Sequence, residues 1–143
     1  WGMSPFNNFG WGMPGGWNNF GVQSTRYFSE NVVAFSLDKE GEIIWNNVMP
    51  KSQFEDNTDQ LLSYQSVNTG KEILLLYNEW ARRSPVLTMQ SLSQDGQLSR
   101  HQPLRNMDKG YEFIIRNARQ VGLREVIVPV LNRNSISFAR IEF

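Results

Sequence analysis

From Glu30 onward, short runs of β-branched, aromatic and aliphatic residues alternate with turn-forming residues. NVVAFSLD is one such run, KEG a Gly-containing turn, and EIIWNNV a second run. Together they predict a β-hairpin with Gly41 in the left-handed position. VLTMQSLSQDGQLS repeats the design, and aligning Ser36–Ile44 with Ser91–Ser99 sets Gly41 on Gly96 at an offset of 55. A second pair of segments matches in the same order. VNTGKEILLLYN (Val67–Asn78) and VGLREVIVPVLN (Val121–Asn132), offset by 53 or 54, each carry a Gly, a basic residue, a Glu and an aliphatic run ending in Asn. No segment sustains apolar spacing at i, i+3, i+4 and i+7, so little helix is expected.

Two matched segments at nearly one spacing predict an all-β fold of repeated four-stranded antiparallel units, each about 55 residues long and the size of a propeller blade. The units fall at about 31–85 and 86–134, and residues 135–143, which contain ISFARIEF, sit where a third strand set would start. A ring needs four or more blades, so the propeller is expected to be incomplete. Either the chain is the C-terminal part of a longer one, or partners cover its open edges; a small β-sandwich is the alternative. Pro129, inside REVIVPVLN, predicts an edge position in the outermost strand of its unit, because proline cannot donate to a ladder.

Residues 1–25 have a different texture. WGMSPFNNFGWGMPGGWNNFG carries no charge and no period of either kind, and repeats WGM and NNFG. Trp1, Phe6, Phe9, Trp11, Trp17 and Phe20 are a third of the chain's aromatic residues. Ordering so many glycines is entropically costly, yet each ring can bury a large area wherever a groove exists. The segment is therefore an aromatic leader that binds a partner protein or the protein's own sheets, with a plain linker and a sugar-stacking strip as the other readings. Its lack of Lys and Arg argues against a peripheral membrane helix.

Composition narrows the chemistry. The formal net charge is zero, so no global field recruits nucleic acid or an anionic membrane. The charge is divided, however: Trp1–Trp80 holds four Lys/Arg against nine Asp/Glu, and Ala81–Phe143 ten against five. Two solvated surfaces account for this, as does head-to-tail attraction between units or neighbouring chains. Without cysteine there is no disulfide, thiolate metal site or cysteine nucleophile. No apolar run approaches the roughly 20 residues of a membrane span.

Catalytic candidates are few. His101 is the single histidine and lies in the polar loop SRHQPLRN, with no Gly-x-Ser-x-Gly elbow in the chain. Asp38, Glu40 and Glu42 cluster at one turn, and Glu55, Asp56 and Asp59 at another; solvated turns explain both, and a calcium loop is the sharper reading of EDNTD. Arg82, Arg83, Arg116, Arg119 and Arg124, with Tyr111 and Phe113, form no recognisable nucleic-acid motif. No catalytic residue, cofactor or metal is therefore expected.

VVAFSLDKEGEIIWNNVMPKSQ, SYQSVNTGKEILLLYNE and the C-terminal FARIEF resemble the C-terminal part of uncharacterised β-propeller-like envelope or exported proteins of Bacteroidota. The positions that carry the resemblance are Leu37, Asp38, Gly41, Trp45, Tyr77 and Asn78; the second unit departs from it at Ser93. The resemblance implies a cell-envelope or extracellular location and no catalytic residue. The expected function is a non-catalytic structural or adaptor subunit of a bacterial envelope or surface assembly, binding partner proteins through β edges and the leader. The alternative is a carbohydrate-binding or glycoside-processing module with Trp45 and Trp80 as glycan platforms.

Overall fold

A computed structural model describes residues 24–81, 84–104 and 110–143. The leader residues Trp1, Phe6, Phe9, Trp11, Trp17 and Phe20 lie outside the described residues, as do Arg82 and Arg83. The fold is all-β. The strands are β1 (Arg26–Ser29), β2 (Val32–Leu37), β3 (Ile43–Met49), β4 (Gln53–Asp56), β5 (Tyr64–Asn68), β6 (Glu72–Ala81), β7 (Ser84–Ser93), β8 (Leu98–Arg100), β9 (Tyr111–Phe113), β10 (Arg119–Gly122), β11 (Glu125–Asn132) and β12 (Ser135–Glu142). The helical content among the described residues is one short 3-10 turn, Ile115–Asn117, as the missing helical period predicts.

Among the described residues pairing is antiparallel throughout and no sheet closes into a barrel. β5-β6-β7-β8 is a four-stranded meander, β2-β3 a two-stranded ribbon, and β1-β4 a second short ribbon. The last sheet has the order β10-β11-β12, with β9 also on β11. The four-stranded meander is out of phase with the sequence unit. Its strands are the second half of one unit and the first half of the next, because the tight β6–β7 hairpin joins strands that the unit boundary near residue 85 separates.

The sheets stack as layers, an arrangement consistent with an incomplete propeller and with sandwich packing. Successive strand residues point to opposite faces, and in β6 both faces are covered. Leu74 and Leu76 join Val67, Leu87, Ile115, Ala118, Val126 and Val128 in one buried cluster against β11. Leu75 joins Met49 and Leu92 in another, against Val32, Ala34 and Trp45 of the β2–β3 ribbon. Double coverage explains why β6 reads EILLLYN instead of alternating.

Pro129 corrects an expectation. Its strand, β11, is interior, not outermost. β10 pairs with Glu125–Ile127 and β9 with Val130–Asn132, and the 3-10 turn occupies the gap between them. The Ile114 amide donates to the Pro129 carbonyl at 2.9 Å. In an antiparallel ladder a residue's nitrogen and carbonyl share one side, so the proline nitrogen faces this interruption and no ladder bond is lost.

The two aligned glycines share their geometry but not their surroundings. Gly41 and Gly96 have φ of +90° and +83°. A Cβ on Gly41 would meet nothing within 4 Å, whereas one on Gly96 would lie 2.8 Å from the Trp45 ring. Gly41→Ala should therefore cost only left-handed strain, about 1 kcal/mol. Gly96→Ala adds a steric penalty, for a total of about 3 kcal/mol. Chemical denaturation of both variants checks the ordering.

Candidate interaction surface

The β2–β3 ribbon turns one face inward and leaves the other to solvent. Val32, Ala34 and Ser36 are half-buried, while the alternate residues Val33, Phe35 and Leu37 are exposed. Across the ladder Val33 faces Val48 and Leu37 faces Ile43, both exposed, and a register shift between Ser36 and Leu37 brings Ile44 out as well. Alternation in a half-buried strand ordinarily puts polar residues outside; here the outer positions of β2 are apolar at each turn of the pleat. Monomeric surfaces rarely carry contiguous apolar patches of this kind without a binding role. β12 shows a second such face, with Ile136 and Phe138 at 66% and 72% exposure.

Trp45 anchors the ribbon from within. Its indole N–H donates to the Gln94 carbonyl at 2.9 Å, and the neighbouring Asn47 amide donates to the Gly96 carbonyl at 2.8 Å. The first hairpin thus clasps the turn of the second. Beside it lies a cleft of about 490 Å³ lined by Trp45, Phe35, Asn68, Lys71, Glu72 and Gln94, among others. Trp80 is half-exposed and sits opposite Pro85, near the β6–β7 hairpin. Trp45 packs near Leu92, seven residues along β7 from Pro85, a separation of about 24 Å at the rise of an antiparallel strand. The structure does not bring the two tryptophans onto one platform.

A buried polar knot ties β4 to the central sheet. Gln53 Nε2 donates to the Asn78 carbonyl at 2.6 Å, and Asn78 Nδ2 donates to the Phe113 carbonyl at 2.8 Å. Lys51, 6% exposed, donates from Nζ to the Ser29 carbonyl, to Ser29 Oγ and to Gln53 Oε1. Burial pushes its ammonium below the ordinary lysine range, and the charge of Glu30 opposes that shift. Sequence reasoning passed over Lys51 and Gln53, since nothing in KSQFED marks a buried cation held by neutral acceptors.

The carboxylates resolve into local roles. Asp38 Oδ1 accepts from the Glu40 and Glu42 amides and shapes the first turn. Asp56 pairs with Arg26 and Asp59 with Arg116, each at 2.7 Å, and those guanidinium groups hold both carboxyls below the usual range. Glu55 accepts from the Leu61 amide. His101 lies within 3.0 Å of Ser91 Oγ. Among the described residues no group of His, Asp or Glu could hold a metal ion, and no helix is long and apolar enough to cross a membrane.

Comparison with known families, with curated proteins and with solved structures finds no match to this chain.

Proposed function

We propose that this chain is a non-catalytic structural or adaptor module of a larger protein assembly, its stacked sheets serving as scaffold and its exposed ribbon face as docking surface. One observation carries the reading: Val33, Phe35, Leu37, Ile44 and Val48 are exposed on an ordered ribbon whose opposite face is anchored by Trp45. A rigid apolar face loses little entropy on binding and gains from each ring it buries. The aromatic leader supplies a second apolar contact, and the resemblance to exported propeller-like proteins supports an envelope or surface location.

The test is cross-linked capture from an envelope extract of the source cells. The wild-type chain should retain a partner that Phe35→Asp loses, with both proteins melting within a few degrees of each other because Phe35 is 59% exposed. Recovery unchanged by Phe35→Asp and by removal of residues 1–23 would rule the reading out.

A second reading has its own support. The cleft beside Trp45 joins aromatic rings from Phe35 and Trp45 to the amides of Asn68 and Gln94 and the carboxylate of Glu72, a mixture suited to a sugar ring. Binding on a glycan array that disappears with Phe35→Ala but persists with Trp80→Ala would favour it.

A further inference from the structure

We infer that the partner of the exposed ribbon face is a second copy of this chain, docked head to tail through its β11–β12 face. The inference rests on the scaffold reading above and names the occupant of that surface. It follows from comparing equivalent positions within the molecule, where the same type of face occurs both covered and bare.

The offset of 55 that aligns Gly41 with Gly96 also aligns β2 with β7. Val32 and Ala34 face the central sheet, as Leu87 and Met89 at the same offset face the next one. The opposite face therefore corresponds too. Val33, Phe35 and Leu37 match Thr88, Gln90 and Leu92, which are 0%, 1% and 3% exposed on the ribbon side of the central sheet, whereas the first three are 50%, 59% and 55% exposed. The ribbon thus presents the kind of face that an earlier layer covers elsewhere in the molecule.

The other end shows the converse. The β6–β7 and β11–β12 ladders end on the matching pairs Ala81↔Ser84 and Asn132↔Ser135, an offset of 51 that places Ile136 on Pro85 and Phe138 on Leu87. Leu87 is 1% exposed because the following sheet covers it, while Phe138 is 72% exposed. Val126 and Val128 turn back into the core, so Phe138, whose partner is Pro129, lies on the outward face. Among the described residues, the ribbon end has no preceding layer and the β12 end no following one. These are the two halves of the layer-on-layer contact that the molecule builds internally, and a second copy supplies each with what it lacks.

Charge favours the same pairing. The ribbon hairpin carries Asp38, Glu40 and Glu42 against Lys39, whereas the β11–β12 hairpin balances Glu125 and Glu142 against Arg133 and Arg140, with Arg140 ion-paired to both glutamates. Head-to-tail docking sets an acidic hairpin against a neutral one, and ribbon-to-ribbon docking would set two acidic hairpins together. Such a heterologous contact propagates as an open stack or closes as a ring.

Sedimentation velocity on purified 1–143 tests this. The wild-type mass should rise with concentration beyond a dimer. Phe35→Asp alone and Phe138→Asp alone should each weaken association roughly tenfold or more, as loss of a central aromatic anchor does. Mixed together they should form a 1:1 dimer that grows no further, because one variant retains an intact β12 face and the other an intact ribbon. Leu37→Lys and Ile136→Lys serve as a second pair should either aspartate variant fail to fold.

A wild-type chain that stays monomeric at every concentration would overturn the inference, as would a mixture that associates no more tightly than either variant alone, or either variant alone associating as tightly as the wild type. Association that emerges only after removal of residues 1–23 would assign the ribbon face to the chain's own leader, also against a second copy. Should the wild type be monomeric while Phe35→Asp still loses an envelope partner, the scaffold reading stands and only self-docking fails.

Discussion

Trp45→Ala is expected to lower the unfolding free energy by about 3 kcal/mol and to free the β2–β3 ribbon before the rest of the molecule unfolds. Trp45 is half-buried, so its loss falls at the lower end of the range for truncating a core tryptophan. Three contributions act in the same direction. The ring leaves the apolar cluster of Met49, Leu75 and Leu92, the Gln94 carbonyl loses its donor, and a void opens above Gly96. What then holds the ribbon to the central sheet is chiefly the Asn47–Gly96 hydrogen bond, the Gln90 side-chain amide donating to the Pro50 carbonyl just past β3, and the packing of Val32, Ala34 and Met49. The ribbon contains only two strands, a size marginal without a packed face. Denaturant unfolding should show a reduced midpoint, and limited proteolysis should cut first between residues 37 and 43. Trp45→Phe should recover part of the packing and none of the hydrogen bond. A loss below about 1 kcal/mol would mean that the ribbon is held by other contacts.

Leu76→Ala should cost about 3 to 5 kcal/mol and destabilise the whole molecule together. Leu76 is fully buried, in the cluster that joins the central sheet to β11 through Val126 and Val128. The strands around it are fixed by ladders on both sides, so the cavity cannot collapse easily. Leu75→Ala, one residue away, empties space on the opposite face, toward the ribbon. The pair distinguishes the layers: Leu76→Ala should lower every probe of unfolding alike, and Leu75→Ala should expose β2 and β3 first. Two variants with identical unfolding behaviour would argue against separate layers.

Much of this architecture was legible in the chain. The Gly41 and Gly96 hairpins, the strands around LLLY and VIVPV, and the near absence of helix follow from β-branched runs and turn residues, which are local signals. The phase of the sheets was not local. Both units contain strand pairs at the expected places, but the short connection from β6 to β7 decides which strands become neighbours, and ARRSP does not look like a hairpin turn. Pro129 misled for a related reason. A proline argues for an unpaired edge, and here the unpaired stretch is a gap between two partner strands, which only tertiary structure reveals.

The surface was partly legible. EIIWNNV sets Trp45 in mid-strand, and the structure gives it half-burial with a carbonyl partner. The exposure of Val33, Phe35 and Leu37 could not be read, since in VVAFSL they are the larger and more apolar of the two alternating sets, and pattern alone would turn them toward the core. Small Ala34 and Ser36 inside and large Phe35 and Leu37 outside reverse the usual order. The inner positions lie against the bulky Trp45, which leaves room only for small neighbours.

Amide hydrogen exchange on the chain of residues 1–143, read residue by residue, tests the layered account most directly. The account predicts the slowest exchange in β6 and β7, from Leu74 to Tyr77 and from Leu87 to Gln90, because the central sheet alone among the described sheets is covered on both faces. The β2–β3 ribbon, covered on one face, should exchange faster. Protection of the ribbon equal to or greater than that of β6 and β7 in the dilute protein would contradict it.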